Sequence, residues 1–259
     1  MKLFIKYMKI LLKSQLQYRT SFILICLVQF FVPFLVFSSI YFMFQRFTNI
    51  AGWSFYEVLL CFGIIHIDFS ISQCFVRGFE SFSNLIVNGD FDRILVRPRG
   101  TVIQVLGSRF EFTRVGRLIQ SIIILIWAII NVSIDWNLLK AIILILMVIS
   151  GIFVFTGIFI LTATLCFWTI QGLEIGNIFT HGGREMAQYP LGIYKKWVKN
   201  FFTYIIPFGC VNYYPLMYLV NKDSFNILHI ISPLFGILFI IPCLLIWKIG
   251  VRHYKSTGS

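Results

Sequence analysis

The chain has 259 residues, of which 58% are hydrophobic and only 12% are charged, and its 29 phenylalanines are far from the profile of a soluble domain. A net charge of +12 would suggest a nucleic-acid partner for a soluble protein. Here the cations are concentrated between apolar runs, where they indicate membrane orientation instead. No nucleic-acid partner is therefore expected.

Six apolar runs approach or exceed the roughly 20 residues that a helix needs to cross the hydrocarbon core of a bilayer. They cover residues 21–44, 57–75, 115–134, 141–168, 201–220 and 230–249. The runs are too long and too continuously apolar to be the alternating strands of a membrane barrel. The sequence predicts an all-α integral membrane protein of about six transmembrane helices. Because no connection is long enough for a second core, residues 1–259 form one domain.

Residues 1–20 are predicted to form an amphipathic helix that lies on the membrane surface. Apolar residues recur at helical spacing, namely at Ile5, Met8, Leu12 and Leu16. Another face carries Lys2, Lys6, Lys9 and Lys13. A solvated basic tail is the alternative. Together with the arginines of residues 77–117, these lysines place the N-terminus in the cytoplasm by the positive-inside rule, and Lys248, Arg252 and Lys255 place the C-terminus there too. We therefore expect a multi-pass protein of the cell membrane.

The remaining sequence offers little catalytic chemistry. The six cysteines lie among apolar neighbours with no metal-ligand spacing, and we interpret them as small buried residues. The phosphate-binding loop, zinc-protease, serine-hydrolase and dinucleotide motifs are absent. We therefore expect no cofactor on this chain, and any ATP and Mg²⁺ would be bound by another subunit.

The longest charged connection, residues 77–117, contains a short predicted helix. Gly89 permits a tight bend, Asp90 can cap the turns that follow, and Pro98 ends them. One side of the helix would carry Phe91, Ile94 and Leu95, and the polar positions are Asp92, Arg93 and Arg97. Since so short a helix is unstable alone, it either rests on this protein's own span ends or docks onto a cytosolic partner. We favour docking.

Two blocks of the sequence resemble the membrane subunits of ABC-2 type ABC transporters. The first block comprises Arg77-Gly78-Phe79-Glu80, residues 89–98, Gly107-Ser108-Arg109-Phe110 and Gly116-Arg117-Leu118. The second comprises Tyr189-Pro190, Ile193-Tyr194, Trp197, Ile206-Pro207-Phe208 and Val211-Asn212-Tyr213-Tyr214-Pro215. Together the blocks extend the resemblance over essentially the whole chain.

This resemblance implies a six-helix permease of an exporter. Such a permease pairs with a second copy or a related subunit and sits above two cytosolic ATPase subunits that bind ATP and Mg²⁺. The resemblance also implies that residues 89–98 are the coupling helix that contacts the ATPase. Finally, it implies an outer re-entrant hairpin before the last span.

The fifth span has two readings. Hydropathy and charge place it at residues 201–220 and leave residues 171–200 in the cytoplasm. The resemblance shifts it to about residues 172–189 and makes residues 193–220 the re-entrant hairpin. Pro207 and Pro215 suit such a broken element. We favour the second reading, although it places Lys195, Lys196 and Lys199 outside.

Polar residues within spans are candidates for the substrate pathway, because an ionised group in hydrocarbon costs at least about 2.5–3.5 kcal/mol. The second span contains His66 and Asp68, which point to nearly opposite sides of a helix, so a shared metal is not expected. The second reading adds Asn177, His181 and Arg184, within or beside the fifth span. Polar pairing that only stabilises the bundle is an equally good interpretation. Gln29 and Pro33, in the first span, indicate packing and a kink.

Three functional classes follow from these observations. The permease of an ATP-driven exporter agrees with both motif blocks and with the short helix. A membrane-embedded enzyme would need paired carboxylates or a nucleophile and base at usable spacing, and the sequence shows neither. An ion-coupled carrier without an ATPase would be expected to show inverted repeats, and none is visible. We therefore predict a permease that is not itself an enzyme.

Overall fold

The computed structural model describes residues 2–169, 176–222 and 226–255. Within these ranges the ordered elements are helices, apart from an isolated bridge between Ile50 and Trp53. The helices before residue 112 are α1 Lys2–Leu16, α2 Arg19–Arg46, α3 Phe55–Glu80, α4 Phe82–Val87, α5 Asp90–Leu95 and α6 Thr101–Ser108. Those after it are α7 Val115–Asn131, α8 Leu138–Leu165, α9 Gly183–Ala187, α10 Lys196–Tyr204, α11 Tyr214–Leu219, α12 Ile227–Leu238 and α13 Ile240–His253.

Five helical stretches of the described residues are long and apolar enough to cross a membrane. They are Arg19–Arg46, Phe55–Val87, Phe112–Asn131, Leu138–Leu165 and Ile227–His253. Each overlaps one of the predicted runs over most of its length, which confirms the prediction of an all-α integral membrane protein. Only the run at residues 201–220 has no counterpart among them.

The hydropathy-based assignment of residues 201–220 as a single span is wrong. Helix α10 ends at Tyr204, a π-helical turn covers Gly209–Tyr213, and α11 begins at Tyr214. Pro207 lies in the break, where its missing N–H and its ring prevent a continuous helix. Of the alternative fifth span, residues 172–189, the first four lie outside the described residues. Residues 176–187 of it are helical, with a π-helical turn at Ile178–Gly182 before α9.

The segment from residue 191 to residue 222 folds as a hairpin. Its far end meets the α2–α3 connection, because Tyr213 lies 6.0 Å from Trp53 and the Lys222 ammonium donates to the Gly52 carbonyl at 2.6 Å. Its bend reaches the middle of α8, where the rings of Phe208 and Phe155 are 5.0 Å apart. Gly192 packs against Tyr213, so the start and the far end of this segment lie side by side.

Helix α3 lies at the centre of the molecule and packs against α7 and α8 along most of its length. Small residues allow close helix approach: a Cβ at Gly116 in α7 would collide with the backbone carbonyl of Cys26 in α2. The first and last spans are the least buried of the five. The polar residues of α3 are therefore shielded from lipid, whereas α2 and the last span, which comprises α12 and α13, are more exposed.

Candidate functional site

A stripe of residues on α3 forms the first candidate site. His66, Phe69, Gln73, Arg77 and Glu80 follow one another at steps of three or four residues, so they share one face of the helix. This face meets the segment formed by residues 176–188. His66 contacts Gln188, whereas Glu80 lies near His181, so the two elements run antiparallel.

At its N-terminal end, near His66, this stripe begins a chain of hydrogen bonds. Nε2 of His66 lies 3.1 Å from Oε1 of Gln188, whose amide N–H donates to Glu185 at 2.8 Å. Glu185 in turn pairs with Arg184. The Arg184 guanidinium lies over the ring of Phe69, 4.8 Å from its centroid. Residues of the predicted second and fifth spans are thereby connected directly.

Arg117 is the buried cation at the centre of the network. Its guanidinium donates to Oε1 of Gln73 at 3.2 Å and to Oε1 of Gln29 at 2.8 Å, and it lies 5.6 Å from the Phe69 centroid. Among the described residues, no carboxylate lies within ion-pair distance of Arg117. Gln73 bridges the gap, because its amide N–H donates to both carboxylate oxygens of Glu80 at 3.2 Å. The Gln73 amide therefore connects the Arg117 guanidinium to the Glu80 carboxylate through hydrogen bonds.

At its C-terminal end, near Arg77 and Glu80, the stripe makes ion pairs with the connection before α7. Arg77 pairs with Glu80 and lies 2.7 Å from a carboxylate oxygen of Glu111, which Arg114 also contacts at 3.1 Å. The ring of His181 lies 3.8 Å from Glu80. The two hydrogen-bonded parts meet at the ring of Phe69, which the guanidinium groups of Arg184 and Arg117 both contact. We refer to the residues of both parts as the polar network. Its members are Gln29, His66, Gln73, Arg77, Glu80, Glu111, Arg114, Arg117, His181, Arg184, Glu185 and Gln188.

Of the predicted pathway residues, His66, His181 and Arg184 are brought together in the polar network. Asn177 is exposed on the same helical segment. Asp68 lies elsewhere, fully buried against Gly151 of α8, and neither of its oxygens has a hydrogen-bond partner among the described residues. His66 and Asp68 thus face different neighbours, as their spacing predicts.

Sequence reasoning missed Gln73, Glu80, Gln188 and Arg117 as members of this cluster. The spacing of Gln73 and Glu80 from His66 was a usable signal, since both fall on its helical face. The sequence places Arg117 among the cytoplasmic charges and in the first resemblance block, but it is buried within the candidate span Phe112–Asn131.

An apolar cavity of about 440 Å³ lies beside residues 176–188. The cavity is lined by Phe179 of this segment, Phe201 of α10, Phe239 and the C-terminal part of α8. The Thr162 and Thr164 hydroxyls, which also line it, donate to carbonyls of their own helix at 3.0 and 2.6 Å. The cavity therefore presents mainly hydrocarbon.

The second candidate site is α5, which lies within the predicted coupling helix. Gly89 precedes it with φ of +71°, a left-handed conformation that glycine adopts without strain. Arg93 and Asp90 pair at 3.3 Å on its exposed side. Gln104 of α6 donates to the carbonyls of Ile94 at 3.1 Å and Arg99 at 2.9 Å, and so stabilises the turn that follows.

The expectation that Phe91 and Ile94 of this helix face a partner is wrong. Both are buried within this chain. The Phe91 ring is surrounded by four aromatic rings at centroid distances of 5.0–6.4 Å, which belong to Phe82, Phe167, Trp247 and Tyr254. So short a helix is not stable by itself and must be stabilised by packing. Its largest apolar side chain, Phe91, packs against aromatic residues at the ends of α8 and α13.

The exposed apolar residues of this region lie before α5 and at its C-terminal end. Val96 is 84% exposed, Val87 59% and Leu95 40%. Arg93, Arg97 and Pro98 are exposed around them. On the buried side, Asp92 stands near Tyr254, and burial together with this carboxylate raises the pKa of Tyr254 to about 12. We call Val87, Arg93, Leu95, Val96 and Arg97 the loop surface.

Comparison with known proteins identifies one relationship. The family described as ABC-2 family transporter protein matches residues 23–258. No curated protein and no solved structure matches the chain.

Proposed function

The chain belongs to the ABC-2 family of transporter proteins, and on this premise we propose that it is the permease subunit of an ATP-driven exporter. It acts as a dimer, with itself or with a related permease, and two cytosolic ATPase subunits that bind ATP and Mg²⁺ dock beneath it. The loop surface is the observation that carries this proposal, because it presents exposed apolar residues rimmed by arginines between two spans.

The packing of α5 supports a mechanical role for this surface. Phe91 fixes α5 to Phe167 at the end of α8 and to Trp247 and Tyr254 of the last helix and its extension. The indole N–H of Trp247 also donates to Thr101 of α6 at 3.1 Å. A displacement of the loop surface by the ATPase would therefore move the fourth and last spans together, because the cluster between them is closely packed.

The polar network and the apolar cavity form the proposed substrate pathway. His181 and Asn177 are the most accessible of the pathway candidates, whereas His66 and Asp68 are buried and would respond to helix movement instead. Phe179 lines the cavity on the same segment that carries His181 and Arg184. This arrangement accommodates a cargo with an apolar body and a polar group.

The test is purification of the tagged chain from its native membrane, followed by measurement of ATP hydrolysis in the purified complex. We expect a nucleotide-binding subunit to be retained in equal number to the permease and to hydrolyse ATP. Replacing the phosphate-contacting lysine of that subunit should abolish turnover but keep the complex. If the chain purifies without any ATPase and transports its substrate when only an ion gradient is supplied, the result would instead support an ion-coupled carrier.

A further inference from the structure

We propose that α1 is a binding site for anionic phospholipid headgroups, and that bound lipid holds the base of the polar network in place through Gln15. This inference depends on the chain being a membrane protein and not on its having an ATPase partner. The ligand chemistry is a phosphate ester at the surface of a bilayer.

Three lysines of α1 form a cationic stripe without ion-pair partners among the described residues. Lys6, Lys9 and Lys13 are exposed and lie within an arc of about 60° at 100° per residue. None of them has an ion-pair partner among the described residues, and the first 56 residues of the chain contain no Asp or Glu. Their charge must therefore be balanced from outside this part of the protein.

Apolar residues border this stripe and fix its depth. Ile5 and Leu16 are 47% and 39% exposed and lie next to the lysines on the helix surface. Three residues after Leu16, the chain enters α2, a candidate membrane span. The stripe is therefore held at the level of the headgroups, where long lysine side chains reach the phosphates while the apolar edge enters the bilayer. Each lysine near an anionic surface strengthens binding.

The opposite face of α1 is attached to the protein. Phe4 contacts Phe110 with 5.2 Å between ring centroids, and Tyr7 packs so closely on Gly107 that a Cβ there would lie 2.8 Å from its ring. The Gln15 side-chain amide donates to the Phe110 carbonyl at 2.6 Å, and its oxygen accepts the Phe112 N–H at 3.1 Å.

These two hydrogen bonds hold the residues on either side of Glu111. Glu111 is the acid that pairs with Arg77 and Arg114 at the base of the polar network. A lipid that fixes α1 at the membrane surface therefore fixes the backbone that positions Glu111. Binding to this helix should stabilise the folded chain as a whole.

The experiment compares the full-length chain with a variant that carries Lys6→Gln, Lys9→Gln and Lys13→Gln. Each protein is purified in detergent and mixed with phosphatidylglycerol or phosphatidylcholine. Bound lipid is counted by native mass spectrometry, and the thermal unfolding midpoint is measured in parallel. We expect the wild type to retain phosphatidylglycerol in preference and to be stabilised by it. The triple variant should bind it on the order of 100-fold more weakly.

Three controls make the result specific. Arg46→Gln, Lys195→Gln and Lys196→Gln together remove the same charge from exposed positions elsewhere and should leave lipid retention unchanged. Arginine at positions 6, 9 and 13 keeps the charge and should restore it, which separates loss of binding from misfolding. Soluble glycerophosphate should not reproduce the stabilisation, since it lacks the acyl chains of the lipid.

Gln15→Ala tests the second half of the proposal. It should keep lipid retention but lose most of the stabilisation, because α1 would no longer hold the Glu111 backbone. Equal retention of the two lipids by the wild type, or wild-type retention by the triple glutamine variant, would overturn the lipid site. Full lipid stabilisation of Gln15→Ala would overturn the link to the polar network.

Discussion

Arg117 is buried near the start of α7, and its two hydrogen-bond acceptors are side-chain amides of different helices. An Arg117→Leu substitution would leave Gln73 and Gln29 without their donor, and an unsatisfied buried polar group costs about 1–3 kcal/mol. We expect a lower midpoint of thermal unfolding for the purified chain. Arg109→Leu, at an exposed position, is the matched control and should change the midpoint little. Equal midpoints for the two variants would contradict a stabilising role of the network.

Asp68 and Gly151 form a close contact between α3 and α8. A methyl group at Gly151 would collide with the Asp68 carboxylate, and overpacking of this kind costs about 1–3 kcal/mol. We expect Gly151→Ala to lower the unfolding midpoint and Asp68→Ala to rescue it in the double variant. Gly182→Ala, where the added carbon meets nothing within 4 Å, is the control. A double variant no more stable than Gly151→Ala would show that the carboxylate does not limit the space.

The partners of these residues could not be read from the sequence. His66 and Gln188 are separated by 122 positions, and Arg117 and Gln29 by 88. The spacing along α3 predicts which polar residues share a face, because helical geometry is local. The distant side chain that contacts this face is determined by how the helices pack. The spacing of residues within one helix does not predict that packing.

At the scale of elements, hydropathy located five runs that coincide with long apolar helices, because length and apolarity are properties of each segment alone. It failed for residues 201–220, because a broken hairpin buried within the bundle is as apolar as a straight helix. Pro207 was the local sign of the break. In the short helix, the pattern identified the apolar side but not what covers it. Phe91 and Ile94 are buried in the chain's own hydrophobic core, where Phe91 contacts an aromatic cluster.

The burial of Phe91 predicts that its truncation weakens the permease itself. Phe91→Ala should lower the stability of the chain purified without partners by about 3–5 kcal/mol, the usual cost for a buried aromatic residue. Leu95→Ala, at a partly exposed position of the same helix, should cost far less. The two unfolding midpoints in detergent make the comparison. If Phe91→Ala unfolds like the wild type, then the cluster does not hold α5 in place.

At the scale of the whole molecule, the hairpin predicts which residues share a membrane side. In a cysteine-free background, Lys196→Cys and Arg46→Cys should both react with an impermeant maleimide added outside intact cells. Arg97→Cys should react only after permeabilisation, because the loop surface lies at the other end of α3. Labelling of Lys196→Cys together with Arg97→Cys would place the start of the hairpin in the cytoplasm and contradict the proposed topology.

The central claim is that the loop surface couples this permease to an ATPase, and the most direct measurement is ATPase retention by Val96→Glu. Val96 is 84% exposed on that surface, and Leu138, 79% exposed at the start of α8, provides a matched Leu138→Glu control. An uncompensated charge buried in an interface core should cost about 3–5 kcal/mol. We predict that Val96→Glu loses the ATPase subunit and its ATP turnover, whereas Leu138→Glu keeps both. Full retention and normal turnover in Val96→Glu would contradict the account.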